Sequence, residues 1–188
     1  MGGYSFLQGI AQTENEYILI MDRAFFPYGS KKPDFLIRRT IFLCWYLKRK
    51  KVDMIILACN TLSVVALDKI KLYFKIPIMG VIELFNFQSY KNALFIGTEN
   101  TIKHLKNRYK QITFLATPKL ISYIEKNDIR QILEYLKEKR NFFDSYSYIL
   151  LGCTHFIKIK RLIKNSVSQD DLFNVKMLNG IGNPRFFI

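Results

Sequence analysis

Short runs of apolar residues alternate along the chain with longer stretches whose apolar positions recur at helical spacing. Six runs read as strands: Tyr17 to Met21, Met54 to Ala58, Ile76 to Val81, Ala93 to Ile96, Ile112 to Leu115 and Tyr148 to Leu151. They are mostly continuous in apolar character, which suits parallel strands covered on both faces. Between them Pro33 to Lys50, Thr61 to Phe74, Thr98 to Tyr109, Pro118 to Lys139 and Phe156 to Asn165 read as helices, the fourth broken in two near Asn127. Pro33 and Pro118 fit first-turn positions, where the missing N–H costs nothing. A helical stretch from Tyr4 to about Ala11 opens the chain with no strand before it, and the last residues end on apolar side chains. Strand–helix alternation predicts an α/β fold with parallel sheets. The 188 residues suffice for one medium domain or two small lobes sharing an interface.

Composition adds exclusions. With 49% hydrophobic and 23% charged residues, the chain is neither a disordered tail nor a collagen. No apolar run approaches the ~18 residues of a membrane span, and the opening Met-Gly-Gly-Tyr-Ser-Phe lacks a signal peptide's basic start and apolar core. A cytoplasmic location is expected, with no membrane partner. Three cysteines without a CxxC, and only His104 and His155, make neither a disulfide framework nor a zinc cluster. The formal net charge of +14 invites an anionic partner. Its basic residues are scattered, however, and the densest run, Lys48-Arg49-Lys50-Lys51, ends a predicted helix, where cations favour the dipole. No nucleic-acid-binding motif accompanies it, so nucleic acid is not the expected partner.

The chemistry sits in an internal echo. Met54-Ile-Ile-Leu-Ala-Cys59-Asn60-Thr61 runs an apolar strand into a small residue, a cysteine and two polar residues before a helix, and Tyr148-Ile-Leu-Leu-Gly-Cys153-Thr154-His155 repeats the design half a chain later. In open α/β sheets ligands bind beyond the carboxyl ends of strands, beside helix N-termini. Both thiols are expected there, with helix dipoles lowering their pKa towards thiolate. Cys44, on a greasy helix face, reads as core, and His104 as surface. Two thiols facing one cleft suit removal of a proton from one face of a carbon and its return to the other. Such a reaction needs no cofactor, and the chain has no GxGxxG or P-loop.

Asp22-Arg-Ala-Phe-Phe-Pro-Tyr-Gly-Ser-Lys31, Ala58-Cys-Asn-Thr61, Pro77-Ile-Met-Gly-Val-Ile-Glu83, Ile96-Gly-Thr-Glu-Asn-Thr-Ile102 and Leu151-Gly-Cys-Thr-His-Phe156 fall in the order seen in glutamate racemases. The chain resembles that family, within the cofactor-independent aspartate/glutamate racemases, from Gly2 to about Asn165. The resemblance implies two flavodoxin-like parallel-sheet lobes related by a pseudo-twofold, with glutamate held in the cleft between them. Residues 1–88, completed by 174–188, would form the first lobe and residues 89–173 the second. It further implies interconversion of L- and D-glutamate for peptidoglycan synthesis, and a homodimer as a common assembly.

Carried over by position, Cys59 and Cys153 resemble the acid/base cysteines, with His155 assisting Cys153 as base partner and Glu125 standing behind His155. Pro27, Tyr28, Gly29, Asn60, Thr61, Thr98, Thr101 and Thr154 resemble substrate ligands. Family members begin with a strand ending in Asp-Ser-Gly, whose Asp is expected to assist the first cysteine. Here Met1-Gly2-Gly3 falls just after that point, so a start upstream of Met1 is expected. The alternatives are an inactive remnant, or a basic non-catalytic protein that binds nucleic acid or DNA gyrase.

Overall fold

The structure is a computed structural model that describes residues 2–10 and 16–173, together with the backbone of residues 185–187. Of the segment 174–188 expected to complete the first lobe, residues 174–184 and Ile188 lie outside the described residues, as does Ala11. In chain order the elements are α1 (Gly2–Ile10), β1 (Glu16–Ile18), α2 (Pro33–Arg49), β2 (Ile55–Leu57), α3 (Asn60–Lys71), β3 (Ile78–Gly80), β4 (Ala93–Gly97), α4 (Glu99–Leu105), β5 (Ile112–Ala116), α5 (Pro118–Glu125), α6 (Ile129–Asp144), β6 (Tyr148–Gly152), β7 (Ser166–Val167), α7 (Gln169–Leu172) and β8 (Arg185–Phe187). The α/β architecture expected from the alternation is what is observed, and every paired strand is parallel.

Four strands form one sheet in the order β5-β4-β6-β7. Its central strands explain their unbroken apolar sequence. Leu94, Ile96, Ile149 and Leu151 pack with Leu120, Ile124 and Phe156 on one face. Phe95 and Leu150 pack with Ile82, Phe85 and Phe87 on the other. A strand buried on both faces has no position at which a polar side chain would be solvated. In the first half the strands fall into two pairs, β1 with β8 and β2 with β3. Leu36, Cys44 and Leu47 of α2 pack there with Ile55 and Leu57 of β2 and Ala66 and Ile70 of α3. Cys44 is therefore core, as expected.

Local rules set most boundaries. Pro33 and Pro118 open their helices. Asn127, at φ 55°, separates α5 from α6, because asparagine tolerates the left-handed region better than most residues. Several elements are shorter than the sequence reading, α4 ending at Leu105, α3 at Lys71 and β3 spanning Ile78–Gly80, and two segments differ more. The first strand ladder spans only Glu16–Ile18, not Tyr17 to Met21. The helix expected over Phe156 to Asn165 is instead a 3-10 run, Thr154–Leu162. Cys153, Phe156 and Ile159 are all buried, and a period of three aligns on one face only when the chain is wound at three residues per turn. The short β7 and α7 that follow were not legible as elements.

Candidate active site

The two cysteine turns meet at one cleft. Cys59 follows β2 and takes the N-cap position of α3, and Cys153 follows β6 at the N-cap of the 3-10 run. Both line a cavity of about 830 Å³ walled largely by apolar side chains. Asn60, Thr61, Thr154, His155 and Glu125 line the same cavity, as do Pro27, Tyr28, Gly29 and Thr98. Of the expected site residues, Thr101 alone is set back: it is fully buried and absent from the cavity wall.

The thiols depart from the sequence expectation. Burial pushes Cys153 up to about 12, with the backbone N–H of His155 pulling weakly the other way. Cys59 is raised as well, again by burial, although the N–H groups of Leu62 and Thr61 and the Thr61 hydroxyl donate towards its sulfur. The helix-terminal donors are where the sequence put them. Desolvation of a charge in an apolar cleft outweighs them, so the resting thiols are protonated and not poised as thiolates.

His155 lies against the Cys153 sulfur in its neutral form. Its Nε2 accepts the N–H of Gly2 at 3.3 Å, and a neutral imidazole carries its single hydrogen on the other nitrogen. Nδ1 lies 3.3 Å from Cys153 Sγ, so His155 presents an N–H donor to the sulfur and not the lone pair of a base. Burial lowers its pKa to about 4, which keeps it neutral near pH 7. Gly2 is required at that contact, since an added Cβ would fall 2.4 Å from Thr154 Oγ1 and 3.1 Å from His155 Nδ1. Glu125 Oε1 lies 3.8 Å from His155 Nε2, beyond hydrogen-bond reach. That oxygen has no partner among the described residues, and burial raises the Glu125 carboxyl.

Hydroxyls lace the two halves together at the cleft. Thr61 Oγ1 lies 2.9 Å from Thr98 Oγ1 and 3.3 Å from Thr101 Oγ1, and Thr98 and Thr101 are 2.9 Å apart. Thr98 also caps α4 by accepting the Thr101 N–H. The Thr154 hydroxyl donates to the carbonyl of Ala58 at 2.9 Å, tying one cysteine turn to the other. The loop carrying Pro27, Tyr28 and Gly29 presses on Thr98, whose Cβ and Cγ2 would lie 3.1 Å from a Cβ at Gly29.

Sequence reading missed two features. Asp22 lies under the Tyr28 loop, where it accepts the Tyr28 hydroxyl and two bonds from Arg39 at 2.9 and 2.7 Å. Burial alone would raise its carboxyl, but the bonds from Arg39 and Tyr28 together hold it below the usual range. The spacing of Asp22, Tyr28 and Arg39 carries no motif that would have joined them. Gln169, at the start of α7, reaches both cysteine turns, and the weak pattern around it gave no signal. Among the described residues no group of three or more His, Cys, Asp or Glu side chains is placed to hold a metal ion.

No family model matches the chain. A glutamate racemase of Buchnera aphidicola subsp. Schizaphis graminum is 35% identical over 186 aligned residues, which cover 87% of this chain and 72% of the relative. Glutamate racemase isoform RacE1 of Bacillus anthracis superposes with a TM-score of 0.82 at 20% identity, covering 99% of this chain and 84% of that one. The glutamate racemase of Francisella tularensis subsp. tularensis in complex with D-glutamate gives a TM-score of 0.74 at 24% identity, over 99% of this chain and 83% of that one.

Proposed function

The chain belongs to the glutamate racemase family, a family of amino-acid isomerases, and from that premise we propose that it interconverts L- and D-glutamate by proton transfer between two thiols. The carrying observation is that Cys59 and Cys153 leave separate sheets at matched strand-to-helix turns and line one cavity. One cysteine, as thiolate, takes the α-proton. The electron pair left on carbon delocalises into the adjacent carboxylate, and the other cysteine, as thiol, returns a proton to the opposite face. At the end the two sulfurs have exchanged protonation states, and no cofactor has taken part.

The raised thiol pKa values serve this chemistry. An α-proton of an amino acid is a weak acid, and a thiolate whose conjugate acid titrates high is the stronger base for it. The cost is a small thiolate population near neutrality. Donors around each sulfur offset part of that cost: the Leu62 and Thr61 N–H groups at Cys59, and the N–H and Nδ1–H of His155 at Cys153. Asn60, Thr61, Thr154 and Thr98 supply polar groups for the carboxylates and ammonium, with the backbone of Pro27, Tyr28 and Gly29 closing over them. Apolar walls exclude water, which strengthens each of these contacts. Thr101 acts from behind, holding Thr61 and Thr98.

The same reading takes residues 1–88 with 174–188 as one lobe and 89–173 as the other. The separate sheets support that division, as does the pairing of 185–187 with β1. D-Glutamate made in the cytoplasm would supply peptidoglycan synthesis, and a homodimer is the assembly proposed. The test is Cα–H exchange of each glutamate enantiomer in D₂O, followed by NMR. Deuterium entering both, with conversion of one to the other, supports the reading; a folded sample that exchanges neither overturns it.

A further inference from the structure

Gln169 is completely buried at the first position of α7, and its side chain faces two oxygens. Nε2 donates to the carbonyl of Leu151 at 2.9 Å and to Asn60 Oδ1 at 3.1 Å. Leu151 stands two residues before Cys153, and Asn60 immediately follows Cys59. One amide nitrogen thus spans both cysteine turns. Its orientation is fixed by the Leu151 carbonyl, a backbone acceptor that cannot be turned over: flipping the amide would set Oε1 against it, and with Nε2 held there only the oxygen end of the Asn60 amide can accept from the same nitrogen. In its observed orientation Oε1 has no partner among the described residues, a loss smaller than that of two acceptors set against each other.

The consequence reaches Asn60. With Oδ1 held by Gln169, the other end of the Asn60 amide is necessarily its donor, Nδ2. Asn60 is 2% exposed and lines the cavity, and Nδ2 has no partner among the described residues. A buried donor left unpaired is costly in a folded protein and marks a place where an acceptor binds. We infer that Gln169 is a positioning residue that sets the Asn60 amide donor-end-first towards the cleft, where Nδ2 binds a carboxylate oxygen of the substrate. The inference rests on the glutamate reading above and adds to it the residue that fixes the polarity of one substrate contact. Without Gln169 the Asn60 amide is free to turn its oxygen inward, where it would repel that carboxylate.

The test is steady-state racemisation of glutamate by the full chain carrying Gln169→Met, which keeps the volume and removes both donors. KM is expected to rise about tenfold, the cost of one lost hydrogen bond, while kcat changes less than about threefold, because Gln169 touches neither sulfur. In an Asn60→Ala background, Gln169→Met should change KM less than about twofold, since its effect passes through Asn60. An unchanged KM, or a full effect that persists without Asn60, overturns the inference. Should the variant fail to fold, the wild-type chain decides by NMR. Added D-glutamate is expected to shift the Asn60 side-chain NH₂ signals and leave those of Gln169 protected from solvent exchange. Exposed Gln169 signals, or an Asn60 signal that does not move, overturn it. A wild-type chain that exchanges no Cα proton defeats the racemase reading separately, and the Asn60 shift on glutamate binding then settles this one.

Discussion

Cys153 and His155 are adjacent, buried and both pushed towards neutrality, the thiol up to about 12 and the imidazole down to about 4. Their effect on stability follows from the sign of each shift. Between about pH 4 and the ordinary histidine value of 6.5, an unfolded chain binds a proton that the folded chain refuses, so stability falls as pH drops through that window. Above the ordinary thiol value of 9.0, the unfolded chain releases a proton that the folded chain keeps, so stability falls as pH rises. Urea unfolding is expected to give a plateau between about pH 6.5 and 9 with losses on both sides, up to about 3 kcal/mol on the acid side. A His155→Asn variant should flatten the acid limb; an unchanged limb would mean that other groups cause it. Activity follows a different course. Because the proposed proton transfer starts from one thiolate, kcat/KM for Cα–H exchange should climb from pH 7 to 9. Cys59→Ser and Cys153→Ser should each lower racemisation by at least ~10³, and full turnover in either variant would defeat the two-thiol assignment.

At the scale of elements, close packing at strand ends places the sulfurs. Gly152 ends β6 just before Cys153, and an added Cβ there would lie 1.9 Å from the ring of Phe95. Phe95 is wholly buried among Phe85, Phe87 and Phe114, so its ring cannot swing away cheaply. Gly152→Ala is expected to lower stability by about 1–3 kcal/mol, seen as a lower urea midpoint, and to reduce kcat by displacing Cys153. The loop over the cleft depends on α2 in a comparable way. Arg39, 23% exposed, holds Asp22, 6% exposed, while its guanidinium stacks on Phe25 and Phe42. Arg39→Ala leaves a nearly buried carboxylate without its cation. It should cost about 1–3 kcal/mol and raise KM for glutamate by loosening Tyr28. A KM equal to that of the parent chain would show that Tyr28 is held without the ion pair.

For the whole molecule, the contacts of Thr61 with Thr98, of Thr154 with Ala58 and of Gln169 with Asn60 join the two halves across the cleft. A ligand bound there adds to these bridges and stabilises the folded state by mass action. D-Glutamate at a hundredfold excess over Kd should raise Tm by roughly 5–10 °C, and a chain whose Tm does not respond does not bind it. The charge of +14 has no single outlet: ion pairs join Arg39, Lys71 and Lys160 to separate acids, and among the described residues no helix is long and apolar enough to cross a membrane. By itself the sequence determined the parallel α/β class, since runs such as Leu94 to Ile96 and Ile149 to Leu151 have no polar face to leave outside. It also determined where each cysteine would stand, because a strand running into a helix cap is a local pattern. What only the tertiary structure decided was the environment of those groups. Whether a helix terminus or the apolar cleft governs a thiol, which nitrogen of His155 accepts the Gly2 N–H, and which partner holds Asn60 Oδ1 all depend on residues far away in the chain. Gly2, Phe95, Asp22 and Gln169 reach the site from separate elements. Solvent exclusion and hydrogen-bond polarity are properties of the assembled cleft, and no spacing along the chain encodes them.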